Sequence, residues 1–394
     1  MKKLGLYIHI PFCQSKCNYC DFTSFSGFGE DDFRKYAHAV LKEINWYSEG
    51  GFKADTMIFE PRNYLVDTIF IGGGTPSLFP LYLLEEIKEE IYKNFHISEN
   101  LEFTIESNPK TLTRDSLRGY RDISINRLSM GVQSFDDDIL HRLGRIHNAD
   151  DIKRNYAMIR DAGFNNVNLD LMFGIPGQSF DSWKSSIREV IKLSPEHLSI
   201  YGLKIEEGTP FSKMLESGEF NETDDEMHLN MYHYAMAQLT RDYSINNKIN
   251  NDYLHYEISN LAKMGFECRH NLKYWSMDEY LGIGLNAHSY VNHTRSSNIS
   301  QLDNYIENSK SFRTWEYVNN PQDEISEYIF TGMRKTSGIR LDAFKKTFGK
   351  DLDELYKKEI KKLQDDGLLE SVNGNLRLTR RGMDISNYVL SNFV

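Results

Sequence analysis

The sequence predicts an α/β fold: an open, six-unit parallel (β/α) partial barrel followed by a small winged-helix-like C-terminal domain. Three observations predict it. Up to about residue 201, short apolar runs alternate with helical patterns, as strands joined by right-handed crossovers do. Six such units are too few to close an eight-stranded barrel. Beyond residue 321, helical patterns are followed by a hairpin pattern with no further alternation.

Residues 4–10 read as a strand ended by Pro11, and a cysteine-bearing loop follows. Residues 31–49 read as a helix with an acidic start at Asp31 and Asp32. Residues 50–66 read as an irregular excursion. A second strand over 66–71 runs into Gly72-Gly73-Gly74-Thr75-Pro76, with a helix over 80–94 behind it. Further strands are expected over 101–106, 127–134, 166–172 and 197–201. Helices are expected over 136–143, 150–162 (stopped by Gly163) and 180–193.

Residues 203–320 carry less regular signals, among them a helix near 223–241. The C-terminal stretch predicts helices near 323–335, 341–348 and 351–366, and a hairpin over 368–378 turning at Asn373-Gly374. These readings divide the chain into a core over 1–240, a connecting region over 241–320 and a small helical, winged domain over 321–394.

The chain has 394 residues, 40% of them hydrophobic, which supports a large domain and a small one. Met1-Lys2-Lys3 runs straight into a strand-like segment, so no signal peptide is expected. No apolar run approaches a membrane span, leaving at most transient membrane association. The net charge of −11 argues against a general nucleic-acid surface. Residues 334–381 do hold 13 Lys and Arg against 8 Asp and Glu. That local basic face reads as solvated or as a docking surface, with nucleic-acid binding a minor alternative.

Each polar or glycine-rich motif falls at the carboxyl end of its strand, the edge where parallel sheets bind ligands. The cysteine loop, the triple glycine, Glu106, Gln133 and Asp170 would share one mouth. Three of the four cysteines, Cys13, Cys17 and Cys20, lie within eight positions, a spacing that lets thiolates converge on one metal centre. They fit a reducing, cytoplasmic compartment better than a disulfide framework. A zinc site with His9 as fourth ligand stays open, although no second ligand pair is present.

The loop Tyr7-Ile8-His9-Ile10-Pro11-Phe12-Cys13-Gln14-Ser15-Lys16-Cys17-Asn18-Tyr19-Cys20 resembles the signature of the radical S-adenosylmethionine (SAM) family. Within that family it resembles the branch of oxygen-independent coproporphyrinogen III dehydrogenases and heme chaperones. The resemblance implies the same partial-barrel fold. It also implies a [4Fe–4S] cluster on Cys13, Cys17 and Cys20, with SAM on the fourth iron. By matching positions, it implies SAM contacts from Tyr7, Tyr19, Gly73, Gly74, Thr75, Glu106, Gln133, Arg145 and Asp170.

Two features separate the members of the branch. The dehydrogenases carry a further cysteine two residues past the third, whereas Asp21-Phe22 follows Cys20 here. The heme chaperones carry H-N-x-x-Y-W, matched by His270-Asn271-Leu272-Lys273-Tyr274-Trp275. The resemblance therefore implies heme binding near His270, Asn271, Tyr274 and Trp275, with His288 and Cys268 as secondary candidates. It implies delivery of heme to an acceptor hemoprotein, with respiratory-chain proteins among the candidates, and is compatible with a homodimer. A radical SAM enzyme acting on a porphyrin is the alternative. The residues themselves leave open whether the His270 segment is a surface loop whose aromatic rings merely dock.

Overall fold

The structure, a computed structural model, describes residues 1–54, 57–240, 253–308 and 310–393. The boundary expected between residues 240 and 241, and the end of the helix expected to reach 241, lie outside the described residues.

Six strands form the expected alternation: β1 (Lys2–Ile10), β2 (Tyr64–Gly73), β3 (His96–Ser107), β4 (Arg127–Gln133), β5 (Val167–Phe173) and β6 (His197–Gly202). Neighbours in this series pair in parallel. Their connections carry α1 (Glu30–Ser48), α2 (Leu81–Asn94), α3 (Arg114–Asp122), α4 (Asp137–Arg142), α5 (Ala149–Asp161) and α6 (Phe180–Leu193). Helix α1 shows why these helices lie on the sheet. Phe33, Tyr36, Ala37, Val40, Ile44 and Tyr47 recur at three- and four-residue spacing and are buried, while the acids of its first turn face its positive end. Helix α3 stands where no helix was expected. Its sequence is mostly polar, and Leu117 and Tyr120 are its buried large side chains.

The sheet is twice as wide as six units. Residues 253–318 contribute β7 (Tyr253–Glu257), β8 (Asn260–Lys263), β9 (Tyr280–Ile283), β10 (His288–Val291), β11 (Thr294–Asn298) and β12 (Arg313–Val318). The strand order is β12-β11-β10-β9-β1-β2-β3-β4-β5-β6-β8-β7. Strand β9 lies parallel to β1, so the parallel part has seven strands, and antiparallel strands extend both edges. Strands β12 and β7 end the order without pairing to each other among the described residues, so the sheet does not close. Helices α7 (Pro210–Glu216), α8 (Asp225–Leu239), α9 (Arg269–Ser276) and α10 (Leu302–Glu307) fill the connections.

The C-terminal residues have an apolar core of their own, running from Ile325 to Phe393. It is built from α11 (Pro321–Gly332), α12 (Leu341–Phe348), α13 (Leu352–Leu355), α14 (Lys357–Asp365), a three-stranded sheet and two short final helices, α15 (Arg380–Asp384) and α16 (Ser386–Leu390). That sheet, of β13 (Ile339–Arg340), β14 (Leu369–Val372) and β15 (Asn375–Leu378), has the order β13-β15-β14. Asn373 and Gly374 turn the expected hairpin with φ of 50° and 79°, the left-handed pair that a tight hairpin requires. The helix expected over 351–366 is broken at Tyr356, whose ring packs on Phe393 at 5.2 Å.

Candidate functional site

Strands β1 to β5 end around one mouth. A cavity of about 470 Å³ there is lined by Cys13, Cys17 and Cys20, by Gly73, Gly74 and Thr75, and by Tyr19, Glu106, Gln133, Arg145 and Asp170. Ten of the SAM and cluster positions expected from sequence thus join Asp170 in one space. Tyr7 lies one layer deeper, against two neighbouring cavities.

The cysteine loop is held by backbone contacts that leave its thiols half exposed. Phe25 N–H donates to the Pro11 carbonyl (2.7 Å), and Cys13 N–H donates to that of Phe25 (2.8 Å). Asn18 stitches the loop to the end of α4, donating to the carbonyls of Leu143 (3.0 Å) and Arg142 (2.9 Å). This stitch sets Arg145 against the loop. Its Nη1 donates to Cys17 Sγ at 3.4 Å and its Nη2 to the Gly131 carbonyl at 2.7 Å, while its buried Nε has no partner. Thr75 Oγ1 donates to Cys13 Sγ at 3.6 Å, and Ser24 Oγ lies 3.9 Å from Cys20 Sγ. Burial raises the thiols of Cys13 and Cys20, so their thiolates call for nearby positive charge. All four cysteines are free thiols.

Glycine is required where the triple-glycine turn meets this loop. Gly73 has φ +116°, and a Cβ on Gly74 would sit 2.7 Å from the Phe12 carbonyl oxygen and 3.0 Å from Cys13 Sγ. Opposite, Glu106 Oε2 accepts from Gly73 N–H at 3.1 Å. Burial, with the charge of Asp170 second, pushes the Glu106 carboxyl up to about 8. Asp170 is itself raised by burial, against hydrogen bonds from Asn168 Nδ2 (2.7 Å) and Ser129 Oγ (3.3 Å). Gln133 lies at φ 65° after a register shift in β4, an unusual backbone for a non-glycine residue that aims its amide into the mouth.

These features suit a ligand with an ammonium group and a carboxylate. Two carboxyls raised by burial, Glu106 and Asp170, and an arginine with an unpartnered buried nitrogen line the same mouth. The thiols suit iron, since three lie on one half-exposed loop with hydroxyl and guanidinium donors against them. His9 is not free to act as a fourth zinc ligand. Its Nδ1 pairs with Tyr7 Oη (3.0 Å) and its Nε2 with the Thr23 carbonyl (2.8 Å).

The His270 motif is a helix, not a surface loop. Both carboxylate oxygens of Glu102 cap its start, accepting from the N–H groups of Arg269 and His270 at 3.0 Å each. The His270 ring is 1% exposed, stacks on Phe70 at 5.3 Å, and pairs through Nδ1 with Thr68 Oγ1 and through Nε2 with Tyr274 Oη, both at 2.9 Å. Burial, with the nearby charges of Lys273 and Arg127, pushes its pKa down to about 3. His270, Asn271 and Tyr274 line an inner cavity of about 200 Å³ that also touches Tyr7, Glu106 and Asp170. Trp275 turns away, beneath the Arg334 guanidinium at 4.5 Å.

Two contributors were not visible in the sequence. Arg127, 2% exposed, lines the inner cavity with its Nε unpartnered, although its place at the start of a strand reads as a surface position. Glu102 caps a helix far along the chain. Phe22, already marked in the sequence as standing where the dehydrogenases carry a further cysteine, is 64% exposed and lies between the mouth and a further cavity.

Fold and mouth define a radical SAM protein: the model of the radical SAM superfamily matches residues 7–190, and that of the HemN C-terminal domain matches residues 319–385. More particularly, the chain belongs to the HemW heme-chaperone family. It is 34% identical to the heme chaperone HemW of Bacillus subtilis over 98% of both chains. It is 38% identical to that of Haemophilus influenzae over 72% of this chain and 70% of the relative. The structure of coproporphyrinogen III oxidase (HemN) from Escherichia coli, described as a radical SAM enzyme, superposes with a TM-score of 0.82. It covers 100% of this chain and 90% of that one at 20% identity, a likeness of fold. No helix among the described residues is long and apolar enough to cross a membrane.

Proposed function

We propose that this protein binds heme and hands it to an acceptor hemoprotein, holding beside it a [4Fe–4S] cluster on Cys13, Cys17 and Cys20 completed by SAM. The observation that carries the reading is the single mouth on which three thiols, two carboxyls and Arg145 converge. When bound, the cluster would supply redox-active iron and an anchor for SAM. The chain's part is to bind and orient. Glu106 and the Gly73 turn would face the SAM ammonium group, Arg145, whose buried Nε has no partner, its carboxylate, and Asp170 a ribose hydroxyl pair. Gln133 and Tyr19 line the same space.

The relatives named heme chaperones support the heme part. So does Phe22, which puts an apolar ring where the dehydrogenases have their further cysteine. The likeness of fold to HemN favours the second reading, a radical SAM enzyme acting on a porphyrin.

The test uses full-length protein reconstituted anaerobically with iron, sulfide and SAM. The chaperone reading expects one heme per chain and its transfer to a heme-free acceptor such as apomyoglobin. Turnover of coproporphyrinogen III, without such transfer, overturns it in favour of the enzyme.

A further inference from the structure

The sequence offers three heme-ligand candidates near the mouth, and the structure leaves one of them open. Cys268 is fully buried, its thiol pointing to Glu102 Oε1 at 3.8 Å, and burial pushes its pKa up to about 12. A thiol so placed neither ionises nor meets a ligand. His270 has both ring nitrogens engaged inside the barrel. His288 differs on each count. Its side chain is exposed at the start of β10, and its ring has no hydrogen-bond partner among the described residues.

The backbone beneath this ring is fixed. His288 pairs with Ser297 across the sheet, Ser289 Oγ accepts from Gly282 N–H at 2.8 Å, and Asn298 N–H donates to the Ala287 carbonyl at 2.9 Å. A fixed backbone with a free imidazole is a prepared ligand position. Partial burial, and then the charges of Arg313 and Arg295, lower the ring's pKa, so the neutral, iron-binding form prevails at neutral pH.

The space in front of the ring suits a flat aromatic ligand. His288 lines a cavity of about 390 Å³ together with Phe22, Tyr7, Tyr274, Tyr280 and Asn286. Phe22 is a large apolar ring left in solvent, and the tyrosines add further ring surface. Asn286 Nδ2 donates to Thr23 Oγ1 at 2.8 Å, tying the segment before β10 to the residue after Phe22. Phe22, Gly73 and Glu106 also line the SAM mouth, so the two spaces share a wall.

We infer that heme docks in this second cavity, with the His288 imidazole on its iron and Phe22 against the macrocycle. The inference rests on the heme-chaperone reading and goes further by naming the ligand and the wall. Because that wall is shared with the mouth, SAM bound there would adjoin the heme edge.

The test is an anaerobic titration of the cluster- and SAM-loaded full chain with hemin. It is followed by Soret absorbance and by electron paramagnetic resonance of the heme iron. Expected for His288→Ala is at least ~10-fold weaker binding and loss of the imidazole-ligated signature, restored by added imidazole. Phe22→Ala is expected to weaken binding severalfold with the signature intact. His228→Ala is the control, because His228 faces a separate cavity of about 330 Å³ and packs on Phe173. Wild-type affinity and signature in His288→Ala would overturn the inference while leaving the chaperone reading intact. Failure of the wild-type chain to bind one heme would sink both.

Discussion

The cysteine loop and the His270 helix carry the two densest motifs of the chain, and the fold treats them in opposite ways. The loop's polar backbone groups are consumed by neighbours such as Pro11, Phe25 and Leu143, which leaves its thiols half exposed at a mouth. The helix has its side chains consumed instead. His270 sits between Thr68, Tyr274 and Phe70, and Lys273 Nζ pairs with buried Asp67 at 2.7 Å. A side chain can recruit an outside ligand only while its hydrogen-bonding capacity is unspent. The loop is therefore built to receive something. The helix is built to hold the barrel wall behind it.

The largest expected effect tests the loop's side of this contrast. Cys17→Ala should reduce bound iron and sulfide to background after reconstitution, read by chemical analysis and visible absorbance, with thermal stability of the cluster-free chain little changed. Retention of a full cluster would break the comparison at once.

His270→Ala tests the other side. Removing a fully buried ring leaves a cavity and strands Thr68 and Tyr274, so stability should fall by about 3 kcal/mol in denaturant unfolding. A variant as stable as the wild type would mean that the helix is not structural. Heme affinity measured where the variant is folded should stay within about threefold, a change worth ~0.65 kcal/mol.

Glu106→Gln sharpens the picture of the mouth. Loss of a charged partner for an ammonium group should weaken SAM binding about 10- to 100-fold, measured by calorimetry. The pH dependence has a definite sign. In the ligand-free chain Glu106 is raised from its ordinary 4.5 to about 8. Its proton-linked contribution to stability is complete below 4.5 and is lost as pH rises toward about 8. SAM affinity should therefore climb as Glu106 ionises over that same range, and the glutamine variant should lack the slope. An identical slope in both proteins would remove Glu106 from the SAM site.

Thr75→Val is the smallest change. Losing one hydroxyl donor to Cys13 should lower cluster retention by ~1 kcal/mol, seen as faster iron release to a chelator. A larger effect would show the loop to be less firmly held than its backbone contacts imply.

The six-strand alternation was legible because its strands are long and apolar, and because glycine and polar motifs punctuate their carboxyl ends. The edge strands were not. Thr294–Asn298 is polar throughout, and Tyr280–Ile283 finds its partner in Gly5–Ile8, at the opposite end of the chain. Short strands paired over such separations leave little periodic signal. Helix α3 was hidden because it is short and carries only two large apolar side chains, Leu117 and Tyr120.

At the site, residue type and spacing were enough to single out Cys13, Cys17, Cys20, the triple glycine, Glu106 and Asp170, because chemistry and strand-end position are both written locally. Access is not written locally. His270 and His288 are the same side chain in neighbouring motifs, yet one ring is enclosed by β2 and its own helix while the other stands free at a strand's start. By itself the sequence determined which chemical groups the mouth holds and on which edge of the sheet they stand. Only the tertiary structure decided which of them remain unpaired, since a group's partners come from segments far away in the chain.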